Sequence, residues 1–280
     1  MKKFFFLVVF SMCFIGLNAQ MIEQVWSTER VLKTPESVLY NGKTNHIYVS
    51  NINGKPQAKD GNGFISLMDT TGKIIEMKWV IGMDAPKGMA VLHDSLFVTD
   101  IDKVHIISIS QAKIITTIQV EGAEFLNDIV VTPDEIAYIS DTQLNRIYVL
   151  ENGRAEVWLE DELLVNPNGM ALIKSDLMAV GVKNSILKVN LQSKNVRMAV
   201  DGTGPVDGLI LFGNNKYIIS NWEGRILIAS PGEKIVLYNK SGEDQSADLG
   251  YIEEKNIILI PAFHGNRVVA VQLVKKVTGE

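Results

Sequence analysis

Cysteine is nearly absent from this chain. Of 280 residues only Cys13 carries a thiol, and it lies inside an apolar N-terminal run. Lys2 and Lys3 precede that run, Phe4 to Leu17 form it, and the small Ala19 follows. This pattern reads as a secretory signal over residues 1–19, with cleavage before Gln20. The run is too short for a spanning helix, which needs about 20 apolar residues, and the apolar residues after Cys13 argue against lipidation there. Cleavage would remove the only thiol, which suits an oxidising compartment and excludes disulfides, cysteine nucleophiles and thiolate metal sites. The expectation is a secreted or periplasmic protein, with residues 20–280 as one domain and no membrane insertion after cleavage.

Other absences narrow the chemistry. The chain has no Gly-rich phosphate loop, serine nucleophile elbow or metalloprotease motif. It has no low-complexity tract, heptad pattern or long linker. The formal charge of −5 becomes −7 when Lys2 and Lys3 are lost, and this mild acidity argues against nucleic acid or an anionic membrane surface as partner. Histidines are scarce: His46, His93 and His105 fall in strands or turns and share no face, while His264 is either a base or a solvated loop residue.

What is present is a repeat. Asn166-Pro167-Asn168-Gly169-Met170 introduces a short strand, and the same move recurs at Pro35-Glu36-Ser37, Pro86-Lys87-Gly88, Leu126-Asn127-Asp128, Val206-Asp207-Gly208 and Ala247-Asp248-Leu249. The second residues form one column: Glu36, Lys87, Asn127, Asn168, Asp207 and Asp248. Subtracting their numbers gives steps of 51, 40, 41, 39 and 41 residues. A period near 40 with strand-like content marks propeller blades. Each copy continues through a turn pair such as Asn41-Gly42 or Pro133-Asp134 into a β-branched and aromatic strand, then a third and usually a fourth. The expected fold is therefore all-β: a six-bladed β-propeller of four-stranded antiparallel blades. The sixth copy lacks its fourth strand. Gln24-Val25-Trp26 lies ten residues before Glu36, as Glu156-Val157-Trp158 lies ten before Asn168, so the N-terminal strand is expected to complete blade six and close the ring.

Strand direction puts the column and the loops between second and third strands at one end, here called the top. The loop within Asn51–Gly63 is the longest, accounts for the 51-residue step and should overhang the mouth, as a lid or as a compact surface loop. Trp222 stands on the same mouth, as a ring-stacking residue or an ordinary exposed aromatic.

Turn chemistry explains Asn and Asp in the column, but not Glu36 or Lys87. Converging carboxylates repel: at about 4 Å and an effective dielectric near 20, two like charges cost roughly 4 kcal/mol. A divalent cation would relieve this, and the all-oxygen set favours calcium, magnesium or manganese over zinc or copper.

At Asn127-Asp128, Pro167-Asn168-Gly169 and Val206-Asp207-Gly208, and in their order from Glu36 to Leu273, the chain resembles the senescence marker protein/gluconolactonase/luciferin-regenerating enzyme family of six-bladed propellers. The resemblance implies one divalent cation on the axis, held by the counterparts of Glu36, Asn168 and Asp207; the oxygen set makes calcium the first expectation. It implies that Asn127 contacts substrate or the cation's shell. It also implies hydrolysis of sugar lactones and related esters, although some relatives only bind ligands. A base is still required, and the column offers Asp207 or Asp248; the resemblance gives the counterpart of Asp207 both duties. Two departures stand out. Phe125 replaces an Arg that family lactonases often carry two residues before the blade-three Asn. Lys87 either pairs with Glu36 or Asp248 or faces substrate to grip an anionic group.

Overall fold

The structure is a computed structural model that describes residues 20–240 and 244–275; the signal expected over residues 1–19 lies outside the described residues. Six four-stranded antiparallel sheets form six blades, and no α-helix occurs among the described residues. Blade one comprises Pro35–Asn41, His46–Asn51, Gly63–Asp69 and Ile74–Met83, from the innermost strand outward. Blades two to five repeat that order through residues 86–119, 126–160, 170–201 and 209–239. Blade six takes Gly250–Ile252, Ile257–Ala262 and Arg267–Lys275 from the C-terminal end, and its fourth strand is Gln20–Ser27. The expected closure is made: the N-terminal strand runs antiparallel to Arg267–Lys275, with Ile22 opposite Leu273 and Trp26 opposite Ala270.

Burial follows position in the blade. The second strands are covered on both faces, so Ala137–Asp141 and Tyr217–Asn221 are buried throughout and read as unbroken apolar or small-polar runs. The outermost strands are mostly exposed, as in Lys113–Gln119. The core is divided into wedges between neighbouring blades. Tyr48, Ile65 and Trp79 of blade one pack on Met89, Leu96 and Val98 of blade two. Val38, Ile47 and Met68 of blade one meet Leu259, Val268 and Ala270 of blade six. The N-terminal strand supports both wedges that blade six makes, since Ile22 packs on the wedge with blade five and Trp26 on the wedge with blade one. The Trp26 indole also donates to Thr70 O of blade one at 3.1 Å.

A strand that holds two wedges together makes ring closure a stability term. Removing residues 20–27 should lower the melting temperature while unfolding stays a single transition. Trp26→Ala alone should cost no more than the low end of the about 3–5 kcal/mol typical for truncating a buried aromatic, because Trp26 is half-buried. Thermal melts followed by circular dichroism check both; an unchanged melt would remove the strand from the account.

Candidate functional site

The inner strands turn their polar residues to the axis by a local irregularity. In blades one, two and three the ladder skips at the column: Pro35 faces Asn51 and Val38 faces Val49, and the same break falls at Pro86/Met89 and Leu126/Ile129. Two inner residues oppose one on the second strand, a bulge that re-aims a side chain. Hydroxyls on the second strands hold the inner-strand backbone at this level, in bulged blades one and three and in blade five. Ser50 Oγ accepts from Ser37 N at 2.9 Å, Ser140 Oγ from Asp128 N at 2.9 Å and Ser220 Oγ from Gly208 N at 2.6 Å. Some also donate across the blade boundary, Ser220 to Ala247 O at 2.7 Å and Thr99 to Asn127 O. At the top of the second strands, Asn51, Asp100 and Asp141 accept backbone N–H groups of the segment that leads into each inner strand or its neighbour. The glycines after Asn168 and Asp207 answer to close approach. A Cβ on Gly169 would stand 2.2 Å from Asp207 O, and one on Gly208 2.4 Å from Leu249 N, because inner strands converge near the axis.

Five column residues meet in one cavity of about 280 Å³ at the top: Glu36, Lys87, Asn127, Asn168 and Asp207. The sixth does not. Asp207 N bonds to Ser220 O, and the equivalent bond in blade six is made by Ala247 N to Pro261 O. Ala247 therefore stands in the column, and Asp248 lies one residue deeper, level with Ser37, Asp128 and Gly208. There Asp248 N donates to Glu36 O, and its carboxylate accepts from the Ser37 hydroxyl at 2.5 Å. Asp128, missed as a site residue, shares this second level. It accepts from Ile129 N at 2.7 Å and from Met170 N of the next blade. Asp128 and Asp248 line a separate cavity of about 330 Å³, walled by apolar inner-strand residues of all six blades.

Lys87 is 1% exposed and lines the upper cavity. Of the two readings of Lys87, the ion pair with Glu36 or Asp248 is not made. Its ammonium donates to Ala85 O at 3.0 Å and sits 4.6 Å from the Phe125 ring centroid, turned toward blade three. Asn127 Nδ2 donates to the Thr142 hydroxyl at 3.1 Å, which donates to Pro167 O at 2.7 Å, so Thr142 fixes the amide. Thr142 stands one residue past a second strand on a top loop, and only that position signals it. Asn168 Nδ2 donates to Asp207 Oδ1 at 3.1 Å, leaving Asn168 Oδ1 buried with no hydrogen-bond partner; Glu36 Oε2 is buried and unpartnered as well.

Trp222 lines the cavity and packs edge-on against Phe263, with centroids 4.8 Å apart. His264 packs edge-on against Phe263 at 5.0 Å but is not among the lining residues. The long loop of blade one does overhang the mouth. Its Gly61 N donates to Asp84 at 2.9 Å, Lys59 pairs with Asp102 at 2.6 Å and Gln57 reaches Gln143 of blade three at 3.0 Å. Ile52 and Pro56 of this loop line the cavity.

The electrostatics are one-sided. Burial, then the Asp207 and Asp248 carboxylates, push Glu36 well above the usual range, and Lys87 works the other way. Burial and Asp248 raise Asp207 to about 7, against the Asn168 hydrogen bond. Burial raises Asp248 to about 6, against Ser37 and its neighbouring N–H. Burial, then Asp248, raises Asp128 well above its ordinary value. Lys87 is drawn down to about 8 by burial, although Glu36 and Asp100 pull it up. Among the described residues no group of three or more His, Cys, Asp or Glu stands ready to hold a metal; the oxygen set at the mouth includes an Asn.

No family model matches the chain, and no curated protein matches it. Solved structures do. A structure of streptogramin B lyase aligns over 91% of this chain and 98% of its own, with a TM-score of 0.66 and 11% identity. A catalytically inactive His-to-Ala form of virginiamycin B lyase from Staphylococcus aureus, with quinupristin, aligns over 91% and 100%, with a TM-score of 0.62 and 13% identity. Selenomethionine-substituted virginiamycin B lyase from the same organism gives 0.62 at 12% identity over 91% and 99%. At these identities the likeness is one of fold.

Raised carboxyl pKa values bear on stability. Free aspartate titrates near about 3.9, so the native protein holds extra protons between that value and about 6 at Asp248 or about 7 at Asp207. Their contribution is full below pH 4 and is lost as pH rises through 6 and 7. In chelator the melting temperature should fall between pH 5 and pH 8, and Asp207→Asn should flatten the fall. Above pH 8 the lowered Lys87 works in the opposite direction. A flat profile from pH 5 to 8 in the parent protein would contradict this charge reading.

Proposed function

We propose that the upper cavity binds a divalent cation through Glu36, Asn168 and Asp207 and hydrolyses a lactone or related ester. The observation that carries the reading is the pair of unpartnered buried oxygens, Glu36 Oε2 and Asn168 Oδ1, in one cavity with the Asp207 carboxylate. A buried acceptor without a donor is costly, and hard oxygen donors suit calcium, then magnesium or manganese. Secretion, which the N-terminal residues suggest, supports calcium, since extracellular modules bind it at accessible concentrations. The resemblance to the gluconolactonase-type propellers names the same three residues. The propeller fold by itself supports no single activity.

When bound, the cation supplies Lewis-acid polarisation of the ester carbonyl and acidifies water. The rest falls to the chain's own groups. Asn168 Nδ2 orients the Asp207 carboxylate, and Asp207 takes a proton from the attacking water. The water oxygen joins the carbonyl carbon, the ring C–O bond breaks, and the proton passes to the departing alkoxide, giving a hydroxy acid. Asn127, fixed by Thr142, orients the bound ester. Lys87 gives one N–H to Ala85 O, which leaves donors for the negative charge that gathers on substrate and product. Ile52, Pro56 and the loop that carries them exclude bulk water. Asp248 lies one level down and holds the inner seam through Ser37.

A panel of lactones and aryl esters, assayed with calcium, manganese or chelator, tests the reading. Turnover should require the cation. Asp207→Asn should lower kcat by about 10²–10⁴-fold, the usual worth of a general base, while Asp248→Asn alters the pH profile of stability and leaves kcat within a few-fold. Full turnover in Asp207→Asn would reassign the base. Calcium binding without turnover of any ester would make the protein a ligand-binding propeller.

A further inference from the structure

The walls of the upper cavity differ from its floor. All five column residues that line it form the floor, whereas the sides are Ile52, Pro56, Phe125, Trp222 and Phe263. The one wall hydroxyl, Thr142, already donates to Pro167 O and accepts from Asn127. Phe125 turns its ring face to the Lys87 ammonium, Trp222 and Phe263 meet edge to face, and the overhanging loop supplies Ile52 and Pro56 from above. Trp222 is 40% exposed although its neighbour Phe263 is 3% exposed, so an apolar ring stands uncovered beside a buried one at the mouth. A site that selects a polyhydroxylated ring needs hydrogen-bonding walls, and its discrimination comes from buried polar groups that demand a partner. Here such groups are confined to the floor.

We propose that this site takes small lactones or esters bearing an apolar substituent, an alkyl chain or aryl ring, in preference to sugar lactones. The reading rests on the hydrolase proposal for the chemistry, but the pocket's preference stands on its own geometry. The ester group lies on the floor, near Glu36, Asn168, Asp207 and Lys87, and the substituent lies among Phe125, Trp222 and Phe263. The volume of about 280 Å³ is just below the usual range of ligand sites, about 300–1,000 Å³, and so fits a single ring with a short substituent. Because the walls are mostly apolar, each added methylene should raise kcat/KM by about tenfold or more until the pocket is full.

The test uses the full mature chain with calcium, on glucono-δ-lactone, δ-valerolactone and δ-lactones with propyl or pentyl side chains. Binding of the matching pentyl lactam, whose amide is far less reactive than the ester, is followed by tryptophan fluorescence and calorimetry. The expected order of kcat/KM is pentyl over propyl over unsubstituted, with the sugar lactone at least about 100-fold below the pentyl compound. Trp222→Ala should reduce the pentyl-to-unsubstituted ratio about tenfold, mainly through KM, and Phe125→Arg should narrow the gap to the sugar lactone. Lactam binding that strengthens with chain length, without turnover of any lactone, would sink the hydrolase reading and uphold the apolar pocket. Turnover led by glucono-δ-lactone, or a series flat in chain length, would overturn the inference and leave the hydrolase reading intact. Neither binding nor turnover would overturn both.

Discussion

Four carboxyl groups and one ammonium share the axis of this ring. Glu36 and Asp207 lie in the upper level, Asp128 and Asp248 in the lower, and Lys87 is the cation among them. Burial disfavours charge on all five, and among the carboxyls mutual repulsion adds to it, while Lys87 and Glu36 attract. The ring has two ways to live with this arrangement. It can hold protons on the carboxyls, which the raised values at Asp207 and Asp248 express, or it can bind a positive charge. Lys87 does not settle the matter, because it is turned to Phe125 and Ala85.

The scaffold keeps these groups close at some cost to its own regularity. Bulges interrupt the inner ladders at Glu36, Lys87 and Asn127; the Ser50 and Ser140 hydroxyls bond the backbone that two of these bulges free, and Ser220 bonds the corresponding backbone of blade five. Glycines at 169 and 208 admit neighbouring strands where a Cβ would collide with backbone. Hydroxyls that cross blade boundaries, such as Ser220 to Ala247 O, tie the height of one blade's column residue to the next. The column is thus a collective property of the ring. Closure by the N-terminal strand, at the far end of the chain, bears on the position of Glu36 because Glu36 O accepts from Asp248 N across the seam between blades six and one, the seam on which Trp26 packs.

Much of this was legible in the residues. The period near 40, the turn pairs and the two Val-Trp dipeptides at equal distance from a column residue gave six blades and the closing strand. Strand direction alone put the long loop over the mouth, where Gly61, Lys59 and Gln57 hold it. The sixth column position was not legible. Ala247-Asp248 offers a carboxylate beside an alanine, and polarity favours the carboxylate, but the register is set by backbone bonds to Pro261 O and Glu36 O that no side-chain pattern encodes. The direction of Lys87 was hidden for a similar reason: its partners, Ala85 O and the Phe125 ring, are a carbonyl and a face, and charge complementarity points elsewhere. The separation of a polar floor from apolar walls depends on Phe263, Phe125 and Ile52, which come from three different blades.

The central claim is that a divalent cation neutralises the upper level at Glu36, Asn168 and Asp207. Anomalous diffraction from crystals grown with manganese tests it most directly. The account predicts one peak on the axis within about 2.6 Å, hard-cation bonding distance, of Glu36, Asn168 and Asp207 oxygens. No peak at saturating metal, or a peak between Asp128 and Asp248 with Glu36 and Asp207 left protonated above it, would contradict it.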